Sequence, residues 1–97
     1  MPGAGSRWAL KQNAPNPFNP STVIAFTLAE SGPAELQVFN LRGQNVRRLV
    51  AGSLEAGDHS VTWDGRDDSG ARVPSGVYFY KLTAGDFEGL QRMVLLK

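Results

Sequence analysis

The chain has 97 residues, of which ten are Lys or Arg, nine are Asp or Glu and none is Cys, which gives a formal net charge of +1. A chain of this length is expected to form one domain that buries roughly 60–65% of its unfolded surface, without metal or disulfide. The charges are scattered, which argues against a nucleic-acid-binding face. No apolar run approaches the roughly 18 residues of a membrane span.

The first residues, MPGAGSRW, lack the apolar segment of a secretory signal peptide. We expect residues 1–6 to form a flexible leader or linker, and residues 7–97 to form a single domain.

Pro15, Pro17 and Pro20 directly precede an apolar, β-branched segment. Proline fixes φ, biases the preceding residue towards extended backbone and has no N–H for a sheet ladder. The sequence therefore predicts an extended lead-in over residues 13–20, lying at a sheet edge or outside the sheet.

Apolar and polar residues alternate with a period of two through most of the remaining chain, as in half-buried strands. The alternation places Tyr78, Tyr80 and Leu82 on one face, and it predicts that Trp63 points into the core. Turn sequences rich in Gly, Asp and Asn separate the segments at short spacing. Strands are predicted over residues 22–28, 34–40, 58–64, 76–82 and 90–97. About seven short strands without a long helix indicate an all-β, antiparallel β-sandwich.

The segment around residues 46–54 is ambiguous. Val46, Leu49, Val50 and Leu54 follow helical spacing, but the segment is short and contains Gly52. We interpret residues 46–50 as a strand.

Catalytic groupings are sparse in this sequence. His59 is the only histidine and there is no cysteine, so a zinc site lacks ligands. A nucleophilic triad fails because Ser60 follows His59 directly in a strand, and the two side chains point to opposite faces. The acidic residues lie mostly in turns, away from any predicted cleft. The sequence predicts a domain that is not an enzyme.

The sequence DGRDDSG offers Asp64, Asp67 and Asp68 as weak calcium-ligand candidates, because calcium prefers oxygen ligands. Arg66 breaks the ligand spacing of an EF-hand loop. The alternative is that these residues form turns, since aspartate side chains bond to nearby backbone amides.

Five aromatic residues raise the possibility of a sugar-stacking platform, which requires exposed rings. They are Trp8, Trp63, Tyr78, Phe79 and Tyr80. Three of them fall on faces assigned to the core, which favours burial over ligand binding.

The chain ends on RMVLLK, a segment with apolar residues on both faces of the predicted strand. Such a strand is either buried between layers or available to a partner. A partner would pair with it by strand addition, in which backbone bonds give affinity and alternate side chains give specificity.

Four segments, in this order, carry a resemblance to a known family: LKQNAPNPFNPSTVIAF, LQVFNLRGQNVRRLV, AGDHSVTWDGRDDSGARVPSGVYFYKL and QRMVLLK. They resemble the type A C-terminal sorting domain of the type IX secretion system. The chain is also similar to the Ig-like domain of the flagellar hook-capping protein. The resemblance covers residues 10–97 and implies an Ig-like sandwich.

The resemblance implies a carrier module for export, with the outer-membrane translocon and a sortase as partners and a cargo domain preceding it in the full-length protein. It implies no cofactor, no nucleic acid and no small-molecule substrate. It also implies passage through the periplasm to the cell surface or medium. By resemblance, the partner-recognition residues are Pro15, Asn16, Pro17, Gly76, Val77, Tyr78, Arg92, Met93, Val94, Leu95, Leu96 and Lys97.

Two features depart from the family pattern. The family often carries two basic residues before the last apolar run, whereas this chain has Gln91 and Arg92. Gly89 is expected to weaken the final strand.

Two other functions stay open from the sequence. A structural Ig-like spacer or assembly domain, as in flagellar hook capping, predicts the same fold but needs residues 92–97 for stability alone. A carbohydrate-binding accessory module requires two or three coplanar exposed aromatic rings.

Overall fold

The structure is a computed structural model that describes residues 7–96, so the predicted leader and Lys97 lie outside the described residues. Seven strands are present: β1 Ala9–Leu10, β2 Thr22–Leu28, β3 Gly32–Phe39, β4 Asn45–Leu54, β5 Gly57–Trp63, β6 Gly76–Ala84 and β7 Phe87–Leu95. They form a three-stranded sheet of order β1-β2-β5 and a four-stranded sheet of order β4-β3-β6-β7. The predicted all-β sandwich is confirmed. Within residues 7–96, no helix is long and apolar enough to cross a membrane.

The core lies between the two sheets and follows the predicted alternation. Tyr78, Tyr80 and Leu82 on β6 are buried, and Trp63 at the end of β5 is fully buried. Each large apolar side chain removed from water in this way contributes about 1.5–3 kcal/mol. The remaining buried apolar residues are Phe18, Ile24, Phe26, Leu28, Ala34, Leu36, Val38, Val73, Ala84, Met93 and Leu95.

β4 is a ten-residue strand, longer than the predicted 46–50, and its helix-like spacing has a structural cause. Its register against β3 shifts between Leu36 and Gln37 and again between Val38 and Phe39. At each shift β4 carries one extra residue, as in a β-bulge. The extra residues are Val46 and Leu49, so apolar side chains recur three apart although the backbone is a strand.

The sequence pattern does not predict β1, which is only two residues long. β1 pairs with β2 and also packs over β7, where Trp8 stacks on Phe87 with ring centroids 5.8 Å apart. A Cβ atom at Gly89 would lie 3.0 Å from the Leu10 Cβ. Gly89 therefore lies inside the nine-residue β7 because Leu10 approaches it closely, which the sequence interpretation of Gly89 as a weak point missed.

Candidate partner-recognition site

The three elements implied by the resemblance lie together at one end of the four-stranded sheet. β6 starts where β7 ends, with Gly76 paired to Leu95 and Val77 paired to Val94. The segment containing the first prolines runs along the outer edge of the same part of β7 and forms a parallel bridge from Phe18 to Leu95.

We call residues 12–18 the clasp, because they bond to the outer edge of β7. The Val94 N–H donates to Asn16 Oδ1 at 2.9 Å, and the Phe18 N–H donates to the Val94 carbonyl at 3.0 Å. The Leu96 N–H donates to the Phe18 carbonyl at 2.9 Å. Gln12 Nε2 donates to the Arg92 carbonyl at 2.6 Å. Side-chain amides thus provide two of these four bonds, in a segment whose prolines have no N–H to donate.

The clasp changes what the last strand can offer a partner. From the sequence alone, the C-terminal strand is either buried or open to strand addition. From Arg92 to Leu95, β7 is paired with β6 on one side, and on the other side the clasp bonds to the backbone of Arg92, Val94 and Leu96. Strand addition at this edge therefore requires the clasp to detach from β7 first.

The recognition candidates divide by exposure. Tyr78, Met93 and Leu95 are buried in the core, so a partner cannot reach them in the folded domain. Val77, Val94 and Gly76 are half-buried. The exposed candidates are Pro15, Asn16, Pro17, Arg92 and Leu96.

The residue that anchors the clasp is not among the site residues predicted from the sequence. Phe18 is 2% exposed and packs against Trp63 with ring centroids 5.6 Å apart, and Trp63 meets Tyr78 edge to face. Phe18 lies between Pro17 and Pro20, outside any alternating pattern. A large aromatic residue enclosed by prolines is the one sequence signal that could have indicated it.

A buried polar pair holds the start of the clasp. Asn13 and Thr22 are the two buried polar residues of the described chain, and Asn13 Nδ2 donates to Thr22 Oγ1 at 3.0 Å. Thr22 in turn donates to the Pro15 carbonyl at 2.8 Å. Because both side chains are paired, their burial costs little.

The backbone directly before the clasp is bonded to the core by Tyr80, whose hydroxyl donates to the Lys11 carbonyl at 2.7 Å. Burial raises the pKa of Tyr80 to about 12. Burial likewise raises the pKa of Tyr78, whose hydroxyl donates to the Pro74 carbonyl at 2.7 Å.

The calcium candidates make internal contacts instead of converging on one point. Asp67 Oδ1 accepts bonds from Ser69 Oγ and from the N–H groups of Ser69 and Ala71, and these bonds lower the pKa of Asp67. Asp64 Oδ1 lies 3.7 Å from Arg47 Nη1, and Asp68 Oδ1 lies 3.8 Å from Arg47 Nε. In the described part of the chain, no group of three or more His, Asp or Glu side chains is arranged to hold a metal.

The aromatic residues do not form the coplanar exposed platform that sugar binding requires. Trp63, Tyr78 and Tyr80 are buried, Trp8 stacks on Phe87, and Phe79 lies on the opposite face of β6 from the two tyrosines.

His59 stacks on Phe26, with ring centroids 5.4 Å apart, and its Nε2 lies 2.7 Å from the Glu55 carbonyl.

Sequence comparison with known proteins supports the similarity to a flagellar Ig-like domain. The family model described as the FlgD Ig-like domain matches residues 13–87. The basal-body rod modification protein FlgD of Salmonella typhimurium is 46% identical over 44 residues, covering 45% of this chain, and the same holds for its counterpart in Salmonella typhi. The chain spans only 19% of the length of these curated relatives.

Two solved structures share the fold. FlgD from P. aeruginosa superimposes with a TM-score of 0.60 at 30% identity, over 76% of this chain and 60% of that one. PorZ, a surface component of the type IX secretion system of Porphyromonas gingivalis, superimposes with a TM-score of 0.65 at 20% identity, over 92% of this chain and 12% of that one. The likeness to PorZ concerns the fold alone. Because the family model covers most of the described sandwich, the chain belongs to the FlgD Ig-like domain family.

Proposed function

We propose that this domain is a non-catalytic Ig-like assembly module of a larger extracytoplasmic protein. The family match over residues 13–87 carries the proposal, since its curated relatives are basal-body rod modification proteins. Fold alone would not support it, because Ig-like sandwiches serve many functions.

The internal bonding of the domain suits a structural role. The clasp closes the outer edge of β7, and the charged loop after β5 directs Asp64 and Asp68 to Arg47. An assembly module has to hold its shape between neighbouring domains, and paired edges and satisfied loops give it that rigidity.

A domain exchange tests the assembly role. The Ig-like segment of Salmonella typhimurium FlgD is replaced by residues 7–97 of this chain, and motility and hook formation are measured. The expected result is that hooks assemble. The matched control carries Phe18→Ala, which destabilises the sandwich and should lower hook formation in proportion to the unfolded fraction. A chimera that is folded and stable but forms no hooks would contradict the proposal.

Sorting through the type IX secretion system is a second candidate. The observation that favours it is that three elements identified by sequence resemblance meet at one corner of the fold. The Val94 N–H bonds to Asn16, 78 positions away, and Val94 pairs with Val77. In this function the translocon and sortase are the partners and the upstream part of the protein is the cargo.

Export of a reporter separates the two functions. A fluorescent protein with an export signal is fused to residues 7–97 and expressed in a type IX-competent bacterium. The test variant is Arg92→Ser with Leu96→Ser, which changes two exposed side chains and should leave the melting midpoint nearly unchanged. Sorting predicts that the parent fusion leaves the cell and that the variant accumulates, folded, in the periplasm. Retention of both fusions leaves the structural role, and equal export of both shows that export does not depend on Arg92 and Leu96.

A further inference from the structure

The outer face of the four-stranded sheet carries an apolar cluster that neither proposed function uses. It consists of Phe39 on β3, Phe79 on β6, Leu90 on β7 and Leu41 in the β3–β4 turn, and we call it the aromatic face. Phe39 pairs directly with Phe79 across the strands, and the four residues line a shallow depression of about 480 Å³. Leu41 and Leu90 are 69% and 63% exposed, more than any other large apolar residue described.

The β3–β4 turn holds Leu41 in this exposed position. Asn40 Oδ1 accepts bonds from the N–H groups of Arg42 and Gln44, both at 3.0 Å, and Gly43 has φ 80°. The tip of the turn is therefore bonded internally, and Leu41 projects from a fixed backbone. Fixed apolar side chains bind with a smaller entropic cost than mobile ones.

The outer face of the three-stranded sheet differs in composition from the aromatic face. On β5 the outward positions are Asp58, Ser60 and Thr62, all polar and exposed. The outer face of the three-stranded sheet is thus mostly polar, with Val23 as the one large exposed apolar residue described there, whereas the outer face of the four-stranded sheet carries two phenylalanines and two leucines. Contiguous exposed apolar patches of this kind mark interaction surfaces.

Charges at the rim of the aromatic face are mainly positive. Arg92 pairs in register with Phe79, and Arg42 directly follows Leu41 in the β3–β4 turn. Glu88 is neutralised by Lys81, with Nζ and Oε2 3.7 Å apart. The ion pairs within residues 7–96 use Arg47, Arg48, Arg66 and Lys81, so neither Arg42 nor Arg92 belongs to one. Aromatic residues beside arginine have the composition of binding hot spots.

We propose that the aromatic face is a docking surface for a protein segment that combines apolar side chains with Asp or Glu. The apolar side chains fill the depression and the carboxylates meet Arg42 and Arg92. A second copy of this chain fits less well, because a symmetric pairing would bring the same arginines towards each other. Arg92 is shared with the sorting candidate, whereas the four apolar residues of the aromatic face belong to neither proposed function.

The test selects binders without assuming the partner. A random dodecapeptide display library is selected on the full 97-residue chain, and the enriched peptides are measured by fluorescence anisotropy at low and high salt. The test variant is Leu90→Thr. The matched control is Val23→Thr, which makes a similar change at a 43% exposed position on the other sheet. Both substitutions place threonine, a residue with high strand propensity, in a strand, and melting curves verify the fold.

The expected result is enrichment of peptides that combine aromatic or aliphatic residues with Asp or Glu. Leu90→Thr should weaken their binding by about tenfold or more, and Val23→Thr should not. High salt should also weaken binding, because rim arginines are screened. If Leu90→Thr perturbs folding, Arg92→Gln replaces it, with the same expected loss for acidic peptides.

Four results would overturn the proposal. They are no enrichment of acidic and apolar peptides, equal binding to Leu90→Thr and to the parent chain, self-association in sedimentation that Leu90→Thr abolishes, and Leu90-dependent binding to phosphatidylserine vesicles without binding to acidic peptides. Hook assembly and reporter export are measured separately, so failure here does not count against either.

Discussion

The two flanks of the sandwich are closed in different ways. On the clasped flank, β1 lies over β7 through Leu10 and Gly89, and the clasp bonds to the outer edge of β7. On the open flank, the edges of β4 and β5 face solvent over most of their length, and the contacts that do protect β4 come from the loop after β5. There the Arg48 N–H donates to Asp68 Oδ1 at 3.0 Å and the Asp68 N–H donates to the Val46 carbonyl at 3.0 Å.

The difference shows that alternation of apolar residues builds the sheets but does not close their edges. An unpaired strand edge invites pairing with another chain, so natural sheets protect it by specific means. The clasped flank uses neutral side-chain amides and a buried phenylalanine. The open flank uses two bulges and exposed charges around Arg47, which stabilise less because water screens them.

Truncating one anchor on each flank should give the largest contrast. Phe18→Ala is expected to cost about 3–5 kcal/mol, because it removes a buried ring that packs on Trp63. Leu54→Ala, at a half-buried position at the end of β4, should cost less than about 2 kcal/mol. Urea denaturation of both variants measures the difference. Equal losses would show that the two flanks are equally important for stability.

Closing the gap between β1 and β7 should have the next largest effect. Gly89→Ala places a Cβ 3.0 Å from both the Leu10 Cβ and the Phe87 ring, and is expected to cost about 1–3 kcal/mol. Combining it with Leu10→Gly should recover part of that loss, since one of the two clashes is removed. Urea denaturation measures the free energy of unfolding of each variant. If the losses of the two single variants simply add in the double variant, Leu10 and Gly89 are not in tight contact.

Removing the Tyr80 hydroxyl tests the link between the core and Lys11, the residue directly before the clasp. Tyr80→Phe is expected to cost about 1 kcal/mol, because the bond to the Lys11 carbonyl is lost. It should also change the alkaline limb of stability. Burial raises the pKa of Tyr80 from 10.0 to about 12, so between these values the unfolded chain ionises first and stability falls as pH rises. Tyr80→Phe should show a smaller fall over this range; an identical fall would contradict the assignment.

The smallest effect is expected at a single hydrogen bond of the clasp, the one between Val94 and Asn16. Asn16→Ala removes the acceptor for the Val94 N–H and is expected to cost about 0.5–1.5 kcal/mol. Asn16→Asp keeps an acceptor oxygen and should cost less. Hydrogen exchange at the Val94 amide is the direct measurement, and it should speed up in the alanine variant. Unchanged exchange would show that the clasp does not depend on this side chain.

The sequence predicted the parts of the fold that depend on local alternation. β2, β3, β5 and β6 begin or end within a few residues of their predicted bounds, and the core positions of Tyr80 and Trp63 follow from a period of two. The Ig-like class is confirmed by the likeness to FlgD. β4 was found but cut short, because Gly52 was expected to close it, whereas the strand continues through Gly52 to Leu54.

The contacts that close the clasped flank were not predictable in the same way. The bond from Val94 to Asn16 joins residues 78 positions apart, and no local pattern specifies it. Gly89 was interpreted as a weak point because a glycine's role in close packing is visible only once its neighbour is known. For the candidate site, sequence resemblance indicated three segments, but the burial of Tyr78, Met93 and Leu95 needed the structure.

The parallel bridge between Phe18 and Leu95 has a mechanical consequence. If a force pulls on the backbone before residue 7 while Leu96 is held, the two bridged segments are drawn past each other along their length. The bonds from Phe18 to Val94 and from Leu96 to Phe18 then bear load together, in shear, and cannot open one after another. The clasp therefore makes the domain resist tension between its two ends, a property that suits any protein that has to hold its neighbours in place outside the cell.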